Sequence, residues 1–454
     1  MKKNLLQVIL LTSICGMLSA CGAFTQLMGT FRTPASYPPA TAKNRKLVDS
    51  SPHIILNDYQ SVQHSPARPW QRPDLAVAVA ISGGGYRASN VTAGVLLGLE
   101  SMKFPGIKSN LLQEVDYFST VSGGGFAVGL YLTQSHRHFL MEGTRKPFNF
   151  GKVFTPHLAE RLRINYSDSL FFGYRRSLKL EQNLGKSLLT IDKAGNQLTL
   201  GDVFIPIQDR ERRAHLPLWV NNAAIIQNMA LFPFTPHILT AYSVTHYIHD
   251  RKVHRLKNAD KPLYGFDLPF STAMMASAAL PYAVAGTTLW SDGCKETSCH
   301  LQLFDGGLAD NLGLFSAMEL LRQDKAKNKV IIIIDAFHGS REPFSKLRRS
   351  PRKLDLLDKV LNATADAFQQ NMKTYGPMIV TASLCASGAE NVLLVNLDLS
   401  KHPQASSIPT SLWLTKEEQE YLIAVGKELV QQNEVLNQQL PKLLRGEAVG
   451  QCHH

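Results

Sequence analysis

Seven consecutive apolar residues, Leu75 to Ile81 (LAVAVAI), run straight into Ser82-Gly83-Gly84-Gly85. No polar residue alternates with them, so a strand here is buried on both faces. Such a sheet needs covering layers, and the usual connection between its parallel strands is a helix. The pattern recurs. Tyr86–Met102 reads as a helix, Val115–Val121 as a second strand ending at glycines, and Gly125–Ser135 as a second helix. Leu218–Ile226 and Val330–Ile334 are further buried-strand candidates. The expected fold is α/β: a mostly parallel central sheet flanked by helices.

The rest of the chain limits the alternatives. Its 454 residues are 44% hydrophobic and 19% charged, which excludes wholesale disorder. A mean hydropathy of −0.09 excludes a multi-span membrane protein. Residues 136–215 break the strand–helix alternation and mix aromatics with arginines and lysines. They read as a cap insertion over the sheet. The aromatics and basic groups of 136–179 suit either a bilayer surface or an ordinary buried cap with a solvated charged face. Thr415 to about Leu444 has helical composition.

The N-terminus carries Lys2 and Lys3, an apolar stretch from Leu5 to Met17, and then Leu18-Ser19-Ala20-Cys21. That stretch is too short for a dedicated transmembrane helix and suits an export signal. Small residues ending at a cysteine resemble the lipobox of bacterial lipoproteins. The resemblance implies cleavage before Cys21, lipidation of Cys21 and tethering to the cell envelope, with Gly22 pointing to the outer membrane. The expected organisation is a signal over 1–20, an extended proline-containing tether over 21–72 and one main domain over 73–454, with 136–215 as its cap. Losing Lys2 and Lys3 takes the formal charge from +12 to +10. Export directs that charge toward a phospholipid membrane and away from nucleic acid. Of the cysteines left, Cys294, Cys299, Cys385 and Cys452 allow three pairings. Cys294 and Cys299 share a polar loop, where a local disulfide is the expectation and zinc, with His300 adjacent, the weaker alternative.

Three motifs carry chemistry. Ser82-Gly83-Gly84-Gly85-Tyr86-Arg87-Ala88 sits between a strand and a helix. Consecutive glycines there let backbone amides face a phosphate or a developing oxyanion at a helix N-terminus. The run lacks the Gly-Lys-Ser/Thr ending of a phosphate-binding P-loop and the spacing of a dinucleotide fingerprint. Alone it is equally a tight turn. Thr120-Val121-Ser122-Gly123-Gly124 has the strand–serine–helix context of a nucleophile elbow, with Thr120 in place of the first glycine of G-x-S-x-G. That β-branched residue is expected to crowd the turn. Phe304-Asp305-Gly306-Gly307-Leu308-Ala309-Asp310-Asn311 places a carboxylate at a turn, alone an ordinary one.

Taken in order, the three resemble the patatin-like phospholipase family, with a glycine loop close to that of the cytosolic phospholipase A2 branch. Met275-Ala276-Ser277-Ala278-Ala279-Leu280-Pro281 is similar to the helix end that precedes the family's aspartate. The resemblance implies that Ser122 is a nucleophile, Asp305 its base in a two-residue dyad, and Gly83, Gly84 and Gly85 an oxyanion hole. Arg87 matches a family arginine that either holds the loop or meets a lipid phosphate. The implied activity is cleavage of carboxylic esters in phospholipids or lysophospholipids, with no metal required. A serine triad in the order Ser122, Asp305, His338 is a weaker alternative. A broader lipase or thioesterase on the same dyad, and a non-catalytic lipid-binding envelope lipoprotein, are the rival functions.

Overall fold

A computed structural model describes residues 70–142, 147–162, 174–203, 216–249, 252–261, 264–280, 284, 286–291, 299–337, 353–410, 413–447 and 449–452. The lipobox and Cys21, the tether up to residue 69, Cys294 and His338 lie outside them.

The run LAVAVAI forms β1 (Leu75–Ile81), buried at every position. Its glycine turn leads into α1 (Gly85–Ser101). Next come β2 (Val115–Val121) and α2 (Gly124–Glu142). α2 runs through Glu142, so the first residues of the stretch read as an insertion continue this helix. Further on are α3 (Tyr174–Leu188) and β3 (Leu218–Ile225). The short β4 (Ala230–Pro233), β5 (Val244–His249) and β6 (Lys252–Arg255) come next. They are followed by α4 (Phe270–Ser277), β7 (Thr287–Ser291) and β8 (Cys299–Asp305). α5 (Leu314–Gln323), β9 (Asn328–Asp335), α6 (Lys353–Ala386), β10 (Asn391–Asp398) and α7 (Lys416–Gln431) complete the main elements.

The ten strands form one mixed sheet in the order β10-β9-β1-β2-β3-β8-β7-β5-β6, with β4 on β3. β10, β9, β1, β2 and β3 are parallel. Beyond β3 every pairing is antiparallel. The parallel half holds the apolar runs because both its faces are covered; β9, for example, is buried from Lys329 to Asp335. The chain is therefore an α/β protein with a parallel centre and an antiparallel extension.

Register decides what meets at the carboxyl edge. Val121 pairs with Asn222 of β3, and on the other side of β3, Asp305 pairs with Ala223. Ser122, one residue past β2, stands level with Ala223. Adjacent strands lie about 4.8 Å apart. Ser122 and Asp305 thus face each other at one height, with only β3 between their strands. β4 takes over the edge of β3 where β2 stops.

The folded body begins earlier than residue 73. Trp70 and Gln71 are buried, and the Gln71 amide donates to Asp116 Oδ1 at 2.8 Å. At the other terminus, Cys385 of α6 is joined to Cys452 by a disulfide. The tail beside Cys452 bridges β10, with the Val392 N–H donating to the Gly450 carbonyl. Within 136–215, Phe148 and Phe150 are buried against Tyr131, whose ring meets Phe150 edge-on at 5.4 Å. These two aromatics belong to the core and do not face a bilayer.

Candidate active site

Ser122 occupies the sharp turn between β2 and α2, with φ of 51°. A non-glycine residue in this left-handed region costs on the order of 1–3 kcal/mol, tolerated where the surroundings hold it. The surroundings do. The Ser122 N–H donates to Ser277 Oγ at 2.8 Å, and Ser277 in turn donates to the Asn222 carbonyl. On the other side, a Cβ at residue 123 would lie 2.2 Å from the Gly85 carbonyl oxygen. The serine turn and the first glycine turn are in backbone contact, and only glycine permits it.

The expected crowding by Thr120 is absent. Thr120 Oγ1 accepts from Trp219 Nε1 at 2.8 Å and donates to Asn221 Oδ1 at 3.0 Å. The room comes from the far side of the turn, where a Cβ at Gly125 would meet Thr120 Oγ1 at 2.9 Å. Here the third glycine after the serine supplies the space that the first glycine of G-x-S-x-G supplies elsewhere.

The Ser122 hydroxyl donates to Asp305 Oδ2 at 2.7 Å. Asp305 Oδ1 accepts the Gly307 N–H at 2.8 Å, so the turn glycine aims the carboxylate. Both residues are buried, at 9% and 7% exposure. Burial pushes the Asp305 carboxyl up to about 6, against the smaller opposing pull of the Gly307 and Ser122 hydrogen bonds. A base near that value is far better matched to a serine proton than an ordinary aspartate.

The glycine loop is not uniform. The Gly83 N–H is already used: it donates to the Asn311 carbonyl at 3.1 Å and to Asn311 Oδ1 at 3.2 Å. Gly84, at φ 145°, and Gly85, at φ 60°, begin α1 with amides that donate to no described residue. These two N–H groups carry the positive end of the helix dipole beside Ser122. Gly83 belongs to the scaffold of the loop, not to its open donors.

Arg87 is 2% exposed. Its Nε donates to the Ala336 carbonyl at 3.0 Å, Nη1 to the Ile408 carbonyl at 2.5 Å, and Nη2 to Thr410 Oγ1 at 3.0 Å. It ties α1 to the end of β9 and to the segment before α7, and buried there it is not placed to meet a lipid phosphate. Asp310 of the third motif is fully buried and accepts the Leu312 and Phe315 N–H groups at the entry to α5.

Three contributors escaped the sequence reading. Ser277 lies in a recognised stretch but was assigned no task. Asn222 supports Ser119 and the Thr120 carbonyl through its amide. Asn311 spans two loops. One signal was available: two adjacent asparagines, Asn221 and Asn222, in an otherwise apolar strand must hydrogen-bond inside the core. Among the described residues no group of three His, Cys, Asp or Glu is placed to hold a metal ion. Nor is any described helix long and apolar enough to cross a membrane. A groove of about 930 Å³ between α1, α7 and residues 149–160 contains none of the motif residues, so the chemistry lies elsewhere.

A family model described as patatin-like phospholipase matches residues 79–318, more than half of the chain. No curated protein matches it.

Proposed function

This chain belongs to the patatin-like phospholipase family, and from that premise we propose a serine acyl hydrolase that cleaves phospholipid or lysophospholipid esters through Ser122 and Asp305. The family makes it a lipid acyl hydrolase in general. The observation that carries the finer reading is the 2.7 Å hydrogen bond from the Ser122 hydroxyl to the Asp305 carboxylate, beside two open amides.

The chemistry follows from that geometry. As Ser122 Oγ attacks the ester carbonyl carbon, Asp305 takes its proton. The carbonyl oxygen becomes an oxyanion, which the Gly84 and Gly85 N–H groups receive. Collapse expels the lysolipid alkoxide, and Asp305 returns the proton to it. Water, deprotonated by Asp305, then attacks the acyl-serine. Collapse of the second intermediate releases the fatty acid, and the proton returns to Ser122.

A fluorophosphonate probe tests the nucleophile. The expected adduct lies on the Ser122 peptide and is lost in Ser122→Ala together with ester hydrolysis. An active Ser122→Ala protein overturns the reading. Comparing fatty-acid release from phospholipid, lysophospholipid, monoacylglycerol and acyl-thioester separates a phospholipase from a broader lipase or thioesterase.

From the lipobox Leu18-Ser19-Ala20-Cys21 we also propose an envelope lipoprotein held at a phospholipid membrane through Cys21. The Cys385–Cys452 disulfide supports it, because such bonds persist in oxidising compartments outside the cytosol. Palmitate incorporation into wild type but not into Cys21→Ala is the expected result. Equal incorporation in both removes the anchor.

A further inference from the structure

One side chain joins the two loops that the dyad mechanism requires. Asn311 Oδ1 stands 2.6 Å from where a Cβ on Gly83 would lie, and 2.8 Å from where one on Gly307 would lie. It is wedged between the glycine turn after β1 and the turn that follows Asp305. The same oxygen accepts the Gly83 N–H. The other end of its amide, Nδ2, donates to Gln369 Oε1 of α6 at 2.6 Å. Gln369 Nε2 then donates to Asp335 Oδ1 at 3.3 Å, and Asp335 ion-pairs with Lys373.

The polarity of this chain of bonds is forced from both ends. The Gly83 N–H can only donate and is shared between the Asn311 carbonyl at 3.1 Å and Asn311 Oδ1 at 3.2 Å, so the side chain turns its oxygen toward it. Its nitrogen then requires an acceptor, which is Gln369 Oε1. Gln369 Nε2 in turn requires the Asp335 carboxylate, which the Lys373 ammonium holds. Asn311, Gln369 and Asp335 are buried at 9%, 2% and 2% exposure, so water does not compete for these bonds.

On the dyad reading, we infer that Asn311 is a positioning residue for catalysis: it clamps Gly83, leaves the Gly84 and Gly85 amides aimed at the oxyanion, and is itself oriented by Gln369 of α6. The side chain of Asn311 bonds Gly83 and Gln369, and neither Ser122 nor Asp305. It acts through the loop, where a displacement near 1 Å costs about a hundredfold in rate. The amide nitrogen matters as much as the oxygen, because it hydrogen-bonds the clamp to the long helix.

Steady-state hydrolysis of a soluble ester, with fluorophosphonate labelling, tests this in the full chain. Asn311→Ala is expected to lower kcat between ten- and a hundredfold with KM within twofold. Labelling of Ser122 is slower by a similar factor but still reaches one adduct per protein. Asn311→Asp fits the same space yet cannot donate to Gln369, and it places a carboxylate against the glycine loop, so it is not expected to rescue kcat. Gln369→Ala keeps Asn311 but frees its orientation; a smaller fall in kcat is expected. Wild-type kcat in Asn311→Ala, or full rescue by Asp, overturns the inference. A loss of rate matched by a loss of labelling stoichiometry reports misfolding of Asn311→Ala and passes the decision to Gln369→Ala. If Asn311→Ala does not fold, Gln369→Ala decides: unchanged kcat there overturns the inference. Ser122→Ala runs alongside. Activity in that variant removes the dyad itself, whereas an inert Ser122→Ala with a fully active Asn311→Ala removes only the role of Asn311.

Discussion

Ser122 and Asp305, 183 positions apart, share a 2.7 Å hydrogen bond across the width of a single strand, β3. The bond exists because Val121 and Asp305 flank neighbouring residues of β3, Asn222 and Ala223. Three measurements bear on this pair, and a fourth on the disulfide at the C-terminus.

The nucleophile is held in a strained backbone. Ser122→Ala removes the hydroxyl but retains φ near 51°, whereas Ser122→Gly removes both hydroxyl and strain. Both should be inert toward esters. The glycine variant should be more stable than the alanine variant by about 1 kcal/mol, visible in urea unfolding. Equal midpoints would show that the turn stores no strain.

Activity should follow the ionisation of Asp305. Its folded value of about 6 makes the carboxylate the active form above that pH. kcat/KM should reach half its maximum near pH 6 and fall tenfold per unit further into acid. Asp305→Asn should lose this limb and about ten-thousandfold in rate, as loss of an equivalent triad member does. A wild-type profile flat from pH 5 to 8 contradicts the assignment.

The same carboxylate destabilises the fold when charged. Its folded value lies above the ordinary 3.8, so the unfolded chain releases the proton first as pH rises. The penalty is absent below about pH 4, grows from there to about pH 6 and is complete above it. Two units correspond to on the order of 2–3 kcal/mol. Asp305→Asn should therefore melt a few degrees higher than wild type at pH 8, and the gap should close by pH 4. Thermal melts at the two pH values decide it.

Reduction should loosen the C-terminus. The Cys385–Cys452 bond closes a loop of 67 residues, worth roughly 4 kcal/mol in the chain-entropy account. Cys452→Ser should lower the melting temperature, and dithiothreitol should affect wild type but not the variant in this respect. The tail bridging β10 should lose amide protection first, because the Val392 to Gly450 bond depends on it.

Local order determined what the sequence alone could tell. The unbroken apolar run LAVAVAI, ending at glycines, reads as a strand buried on both faces and gave β1 with its correct ends; VDYFSTV, with Asp116, Ser119 and Thr120 inside it, gave β2 from its place between polar residues and glycines. A serine or aspartate followed by glycines marks a turn, so the three motifs and their order were visible. What each group touches was not. Tertiary structure alone decided that the Gly83 amide is occupied by Asn311 while Gly84 and Gly85 stay open, that Arg87 is spent on backbone carbonyls, and that Cys385 pairs with Cys452. The reason is physical. Burial and backbone direction follow from neighbours along the chain, whereas a hydrogen-bond partner depends on strand register and helix placement. Both are set by contacts between residues tens to hundreds of positions apart.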